Sequence, residues 1–394
     1  MPALVRDSTF IAYNSGGVQG RRRVVAEDDP DWVPSFEAIP TISFKDIHGS
    51  PEQKRALARQ VGDACRAVGF FYVKDSGIPS SLIVDTFEVM ERFFACPDDV
   101  KLAAHWHKSP ACRGYEPFFE TKLGLDAKGN LRESFAIGDD FLDAEQAYSG
   151  EVAPGTKPQN CWPPDFPELR ASLYEYYNHV EPFARALLVI FALALDLRED
   201  AFEEQYGEDA IWGMRALHYP PQQADESNPG LGAHTDFSSF TLVAQEPGSK
   251  PGLEVLNLNG QWISAPPIDG CDFVVNTGDF LSQTTNNVFK STVHRVLNRT
   301  GDRRYSLPFF FSPSPSSTVA PLAQFLRRAN AADDESTSST PRERNVEPVN
   351  VGEHYVRRVL HSRKHHPSSV KVREAGIPMS EWRYEMMQGV GVPE

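Results

Sequence analysis

The chain has 394 residues, of which 40% are hydrophobic and 24% are charged, a globular composition large enough for one or two domains. With 54 acidic against 39 basic side chains the formal net charge is -15, which disfavours nucleic acid as a partner. The longest apolar run, residues 186–195, has about half the roughly 20 residues that a membrane span needs, and from the first residues we expect no secretory signal. We therefore predict a cytoplasmic protein that binds neither nucleic acid nor membrane, with no obligate protein partner indicated.

The first half of the chain predicts an extended arm followed by short strands and amphipathic helices. Residues 1–38 lack sustained periodicity and predict the arm. After a short strand, Ser50 and Gln53 form a capping-box pattern that starts a helix, and residues 70–73 read as a buried strand before a second helix. Residues 100–165 are rich in Gly, Pro and aromatic residues, which indicates irregular structure with isolated strands.

The second half predicts one long helix and then a series of short strands. The helix covers about 167–197, and a final helix is expected around 351–360. The strand signals cover residues 212–219, 240–245, 253–263, 272–276, 291–297 and 304–311. Helices first and strands second, without βαβ alternation, favour an α+β chain with a mainly β core, built as a sandwich or barrel.

We predict five parts along the chain. Polar, charged residues from 328 to 347 with few large apolar side chains indicate a disordered insertion. The predicted parts are an extended arm (1–38), an N-terminal region (39–165), the long helix with the β core (166–320), the insertion (321–347) and a C-terminal helical segment (348–394).

Three residues of the β half are candidate metal ligands. His234 and Asp236 lie two apart in an extended segment, so their side chains point to the same face. His294 lies on another predicted strand, which an antiparallel sheet could bring opposite the pair. Two histidines and one carboxylate on one face of iron leave three positions open, as in non-haem Fe(II) oxygenases. An isolated H-x-D pair is weak support for a metal, because most such pairs bind none.

Arg304 and Ser306 strengthen the metal hypothesis. They also lie two apart on a predicted strand, ten residues after His294. Arginine offers a planar fork for a carboxylate, and serine adds a hydroxyl donor on the same face, so the pair suits the far end of a dicarboxylate.

In its motifs the chain resembles the isopenicillin N synthase-like branch of the Fe(II)/2-oxoglutarate-dependent oxygenases. The resemblance begins at IPTISF, includes RGY at 113–115, and is densest between 214 and 313. In that region the family's order and approximate spacing are reproduced by HTDFSSFTLVAQ, GLEVL, NGQWISAPP, VVNTGDFL, FKSTVHRVLN and RYS. The resemblance implies a double-stranded β-helix of jelly-roll type, with an N-terminal α/β region and a long supporting helix.

Residue by residue, the resemblance implies that His234, Asp236 and His294 bind Fe(II) and that Arg304 and Ser306 bind the distal carboxylate of 2-oxoglutarate. Tyr219 falls where family members often direct a tyrosine toward the carboxylate nearest the metal. Leu217 departs from the asparagine that the plant branch commonly has there, so how this carboxylate is held stays open. Arg215 would compensate or would serve as a structural ion-pair partner.

Five residues are candidate substrate contacts. For the aromatic members, ordinary core packing is at least as good an explanation as contact with substrate. The candidates are Arg113, Tyr115, Arg215, Phe237 and Phe310.

The resemblance implies oxidation of a C–H bond in a small organic substrate, with 2-oxoglutarate and O2 as cosubstrates and succinate and CO2 as products. Hydroxylation, desaturation and cyclisation all remain open. Alternatives are an ethylene-forming enzyme that cleaves 2-oxoglutarate, an oxidase that uses no 2-oxoglutarate, and a binding protein without turnover. The ethylene-forming alternative ranks lower, because His361 stands where that branch is expected to have arginine.

Two other groups of histidines are interpreted without a function. His105 and His107 form an H-x-H pair with no third ligand near in sequence, and we expect them at the surface. His361, His365 and His366 are expected in a solvated, flexible helix end.

Overall fold

In this computed structural model, the described residues are 10–15, 18–120, 130–138, 160–223, 229–326 and 347–388. The α-helices are α1 (Pro51–Ala67), α2 (Ser80–Phe94), α3 (Asp98–Leu102), α4 (Glu168–Ala194), α5 (Asp279–Thr284), α6 (Val351–Ser362) and α7 (Pro367–Glu374). The strands are β1 (Phe10–Ser15), β2 (Val18–Arg23), β3 (Thr41–Ser43), β4 (Phe70–Lys74), β5 (Gly114–Glu116), β6 (Glu133–Gly138), β7 (Ile211–Tyr219), β8 (Leu231–His234), β9 (Phe240–Gln245), β10 (Leu253–Leu256), β11 (Trp262–Ser264), β12 (Cys271–Thr277), β13 (His294–Val296), β14 (Arg304–Ser312), β15 (Thr318–Val319) and β16 (Val349–Asn350).

Two large sheets form the β core. One has six strands in the order β11-β10-β13-β8-β1-β2, and the other has eight in the order β3-β4-β12-β9-β14-β7-β6-β5. Side chains from both sheets meet in one apolar cluster, which includes Leu253, Val255 and Val296 from the first and Leu217 and Val274 from the second. The sheets therefore pack face to face, and the predicted jelly-roll fold is confirmed.

Strand β4 shows why the long helix is needed. Successive side chains of a strand point to opposite faces. Phe70 and Tyr72 pack between the sheets, whereas Phe71 and Val73 join the apolar cluster on the outer face. That outer cluster also takes in buried side chains of α1, α2 and α4, so the helices cover a face that would otherwise expose apolar surface to water.

Most predicted elements occur where the sequence placed them. Helix α1 starts with the predicted capping box: Ser50 accepts from the Gln53 backbone N–H, and the Gln53 side chain accepts from the Ser50 N–H. The predicted strand at 240–245 matches β9, and the long helix matches α4. Residues 327–346, the greater part of the predicted insertion, lie outside the described residues.

The N-terminal segment differs from the expected arm. Strands β1 and β2 form an antiparallel hairpin, and β1 adds to the six-stranded sheet beside β8, with Asn14 paired to His234. The Thr235 backbone N–H donates to the Asn14 carbonyl at 3.0 Å. Both hairpin strands are partly exposed, and their sequences lack the apolar–polar alternation by which a half-buried strand is recognised.

None of the described helices is long and apolar enough to cross a membrane.

A buried carboxylate, Glu133, ties β6 to its neighbours. It is 2% exposed and receives hydrogen bonds from Tyr115 Oη at 2.6 Å and Lys101 Nζ at 3.0 Å. His218 Nδ1 lies 2.7 Å from its other oxygen. Burial alone would raise the pKa of Glu133, but these three donors outweigh burial and lower it below the ordinary value of 4.5.

Glu133→Gln should lower the free energy of unfolding at neutral pH by about 3 kcal/mol, because it leaves the buried Lys101 ammonium without its buried counter-charge. The wild-type contribution is complete above the unfolded-state pKa and is lost as the pH falls through the lowered folded-state pKa. Urea denaturation at several pH values measures both effects. Glu91→Gln, which breaks the exposed pair with Arg303, is the control and should cost less than about 1 kcal/mol. Equal losses in the two variants would contradict the role of Glu133.

Candidate active site

A cavity of about 500 Å³ lies on the inner faces of the two sheets, near their junction with α6. This volume is within the range of about 300–1,000 Å³ that small-molecule sites occupy. The sequence-predicted residues His234, Asp236, His294, Arg304 and Ser306 all line it. The fold thus brings the His234–Asp236 motif, His294 and the Arg304–Ser306 motif into one cavity, although the first is far from the other two in sequence.

The two histidines face each other because β8 and β13 are paired, with a register shift between His294 and Val296. His234 lies directly opposite His294 in this antiparallel pair, and the ring centroids are 4.3 Å apart. Each ring donates from Nδ1 to the carbonyl two residues before it: His234 to Gly232 at 2.8 Å and His294 to Thr292 at 3.1 Å. Because a carbonyl only accepts, these bonds fix the proton on Nδ1 and leave both Nε2 atoms with a free lone pair.

Asp236 completes the group with one oxygen held and the other free for a metal. Oδ2 accepts from Thr241 Oγ1 at 2.6 Å and from Asn276 Nδ2 at 2.8 Å. Oδ1 lies 3.5 Å from His234 Nε2 and 3.7 Å from His294 Nε2. Burial opposes ionisation, but the two imidazoles and the Thr241 hydroxyl outweigh it and hold the pKa of Asp236 below its ordinary value.

Backbone contacts fix the bend that carries Asp236. The Asp279 backbone N–H donates to the Asp236 carbonyl at 2.8 Å, and the Gly278 N–H donates to the Ser239 carbonyl at 2.7 Å. A Cβ at Gly278 would lie 2.2 Å from the Ser238 carbonyl oxygen, so only glycine permits this approach. The start of α5 therefore fixes where the Asp236 carboxylate lies.

The donor set fits Fe(II). One ligand atom from each of His234, Asp236 and His294 lies within 4.8 Å of the other two. Burial and the nearby His234 lower the pKa of His294 to about 4, so its ring is neutral and able to bind a metal at neutral pH. Two imidazoles and one carboxylate on one side of a metal leave the opposite side open for other ligands.

Arg304 and Ser306 lie on the same face of β14, as predicted. Arg304 is 1% exposed, and its Nη1 lies 3.4 Å from Ser306 Oγ. Gln245 on β9 accepts from Nη2 at 2.8 Å, and the guanidinium carbon lies 5.2 Å from the centroid of the Tyr219 ring. Nε is buried without a hydrogen-bond partner among the described residues. A preorganised buried guanidinium beside a hydroxyl suits a carboxylate.

Four other predicted residues also line the cavity. Tyr219, Arg215, Phe237 and Phe310 all contribute to its wall. Arg215 is at the same time an ion-pair partner, since its Nη1 lies 2.5 Å from Glu116 Oε2. Phe237 packs against Tyr355, with ring centroids 5.6 Å apart, which joins the cavity wall to helix α6.

Arg113 and Tyr115, predicted as substrate contacts, do not line this cavity. The hydroxyl of Tyr115 donates to Glu133 and its ring packs edge-on against Phe93, so it belongs to the core. Arg113 is buried against Gly138. The RGY motif thus leads into β5 with its side chains turned into the protein.

The expectation that His105 and His107 are simple surface residues is also corrected. Both are half-buried, and Glu120 supplies a third possible ligand, with atoms of all three within 4.8 Å of one another. Glu120 already pairs with His105 and accepts from the Trp106 indole N–H. These contacts tie Glu120 to the segment that carries His105 and Trp106.

The expected solvated helix end is only partly solvated. His366 is buried, bonds to the Trp106 carbonyl at 3.1 Å and caps α7, whereas His361 and His365 are exposed at the cavity mouth.

Sequence reasoning missed the residues that position the predicted ones. Thr241 and Asn276 hold Asp236, and Gln245 holds Arg304. All three are polar residues in strands that are mostly apolar. A polar residue at such a position is the sequence feature that could have indicated a role in the site.

The comparisons agree with this geometry. The N-terminal model of the non-haem dioxygenases of morphine synthesis matches residues 39–165, and the 2OG-Fe(II) oxygenase superfamily model matches residues 212–313. A 2-oxoglutarate-Fe(II) type oxidoreductase, hxnY of Emericella nidulans, is 37% identical over 71% of this chain and 80% of its own. A homoarginine-6-hydroxylase of Oryza sativa is 32% identical over 82% of this chain and 97% of its own. The crystal structure of a full-length Neurospora crassa protein in complex with alpha-KG and thymine has a TM-score of 0.68 and 25% identity, and the match covers 84% of this chain and 98% of that one.

The chain belongs to the 2OG-Fe(II) oxygenase superfamily. It is a 2-oxoglutarate-dependent dioxygenase that uses Fe(II) and oxidises a small substrate.

Thr241→Val should weaken metal binding about tenfold or more, because it removes the donor that orients the Asp236 carboxylate. Anaerobic equilibrium dialysis with Fe(II) measures this affinity. Thr284→Val is the matched control, since that buried hydroxyl bonds only within α5, to the Phe280 carbonyl. Unchanged affinity in Thr241→Val would show that the hydroxyl does not orient the ligand.

Proposed function

We propose that this enzyme hydroxylates a C–H bond of a small organic substrate, with His234, Asp236 and His294 as the iron ligands. Arg304 and Ser306 would bind the distal carboxylate of 2-oxoglutarate, and Tyr219 would contact the carboxylate nearest the metal. The observation that carries the proposal is the convergence of three metal-binding atoms within 4.8 Å of one another in the cavity that Arg304 also lines. Hydroxylation is favoured among the possible outcomes because three relatives are named homoarginine-6-hydroxylases.

With iron and 2-oxoglutarate bound, the site supplies the oxidising chemistry, in which O2 and 2-oxoglutarate become succinate, CO2 and one inserted oxygen atom. The protein's own residues bind and orient. The paired Nδ1 donors keep both imidazole Nε2 atoms directed at the metal position. Arg304 would bind and orient the distal carboxylate of 2-oxoglutarate. Phe237 and Phe310 would present apolar surface to the substrate and exclude water.

We further propose that the enzyme works in the cytoplasm on a freely diffusing substrate, without nucleic acid or an obligate protein partner. The net charge of -15 supports the absence of nucleic acid. The five-part division of the chain made from the sequence also stays a prediction.

His234→Ala and His294→Ala should each lose bound iron while keeping the circular dichroism spectrum of the fold. Each substitution removes a ligand and leaves the sheet hydrogen bonds in place. Iron content after anaerobic loading and desalting is the measurement, with the exposed His179→Ala as control. Full iron content in both ligand variants would contradict the assignment.

Arg304→Gln should raise the concentration of 2-oxoglutarate needed for half-saturation by about tenfold or more, since a charged hydrogen-bond donor is lost. The measurement is the weak visible band that chelation of Fe(II) by 2-oxoglutarate produces under anaerobic conditions. Arg303→Gln, the exposed neighbour paired with Glu91, is the control. If iron binds but no such band forms in the wild type, the oxidase or binding-protein alternative gains, and ethylene in the headspace of aerobic reactions would favour the ethylene-forming one.

A further inference from the structure

The cavity is strongly basic, although the chain as a whole is acidic. Besides Arg304, its wall includes the cationic side chains Arg132, Arg215, Arg358, Arg363 and Lys364. Apart from Asp236, the one described acidic residue in the wall is Glu120, whose oxygens are engaged by Trp106 and His105. A cavity with five further cations in a chain of net charge -15 is built for an anion.

Three of the guanidinium groups lie close enough to one carboxylate, that of Glu116, to stabilise its charge. Burial alone would raise the pKa of Glu116, but Arg132, Arg215 and Arg363 together outweigh burial and lower it. Arg215 forms the direct contact, and it also donates to Ser134 Oγ at 2.9 Å. One carboxylate balances one of these three charges, so positive charge remains in excess among the described residues here.

Arg132 has donors that no described residue accepts. Its side chain is 7% exposed, and both Nε and Nη1 are buried without a hydrogen-bond partner. Burying a guanidinium donor without a partner is costly, so such a group in a ligand cavity points to a ligand that accepts from it. Arg132 directly precedes β6, whereas Arg304 lies on β14, with β7 between them in the sheet.

Arg358, on helix α6, also lines the cavity. Its Nη1 is also buried without a partner among the described residues, and the guanidinium carbon lies 5.5 Å from the centroid of the Phe237 ring. Phe237 follows Asp236 directly, so Arg358 is held close to the metal-binding residues. An anion bound by Arg358 would therefore lie close to the metal-binding residues, in the cavity that Arg132 also lines.

We propose that the substrate carries a carboxylate, which Arg132 and Arg358 bind. This inference rests on the proposed function and specifies its substrate class. A guanidinium presents two parallel N–H donors that match the two oxygens of a carboxylate. The apolar wall around Phe237 and Phe310 would then receive the carbon skeleton that is oxidised, so the substrate class is a small organic acid with an apolar portion.

The test uses full-length protein loaded with Mn(II), which is redox-inert here, and saturated with 2-oxoglutarate. Calorimetric titration first establishes binding of 2-oxoglutarate and then measures binding of matched pairs: hexanoate with hexanamide, 3-phenylpropanoate with 3-phenylpropanamide, and benzoate with benzamide. At least one acid should bind about tenfold or more tightly than its amide, since only the acid is charged. Inorganic phosphate should not displace it.

Arg132→Gln and Arg358→Gln should each remove the preference for the acid, and Arg132→Lys should restore part of it. Arg357→Gln is the matched control, because that neighbouring side chain turns away from the cavity to Glu353 and the Met379 carbonyl. A loss in one Gln variant alone would assign the contact to that arginine. The inference is overturned if 2-oxoglutarate binds but no acid does, if acid and amide bind equally, if phosphate displaces the acid, or if both Gln variants bind it as the wild type does. Failure of 2-oxoglutarate itself to bind would instead count against the proposed function.

Discussion

The antiparallel pairing of β8 with β13 is the interaction on which the rest of the site depends. It sets His234 opposite His294, and each ring is then locked by the carbonyl two residues before it. A slip of one residue would turn one imidazole to the opposite face of the sheet. The Asp236 carboxylate lies 3.5 Å and 3.7 Å from the Nε2 atoms of this pair, and the guanidinium of Arg304 on the facing sheet lines the same cavity.

Much of the site was predictable because it follows from short-range alternation. H-x-D and R-x-S place side chains two residues apart on one face, and this requires only extended backbone. The capping box at Ser50 is likewise local, and α1 begins where it predicts. The two motifs are brought together by the pairing of strands that are distant in sequence. The resemblance to a family implied this pairing, whereas the residues alone did not predict it.

The rest was unpredictable because it depends on which buried polar atoms meet across strands. Tyr115 was expected at the substrate, but Glu133, eighteen residues later, captures its hydroxyl. Glu120 contacts His105, fifteen residues earlier, and no periodic sequence pattern predicts such a contact. Arg132 directly precedes strand β6 and Arg358 lies on the C-terminal helix α6. Only the folded chain shows that both line one cavity.

The hairpin of β1 and β2 limits how far the N-terminus can be truncated without disturbing the sheet that carries His234. The matched family region begins at residue 39, which invites a truncation there. Such a chain would lose β1, one of the two strands beside β8, and leave the backbone at His234 as an open sheet edge. Unpaired edges recruit other strands, so aggregation and poor metal retention would both arise from the trimming itself. An affinity tag is accordingly better tolerated ahead of the hairpin than in place of it.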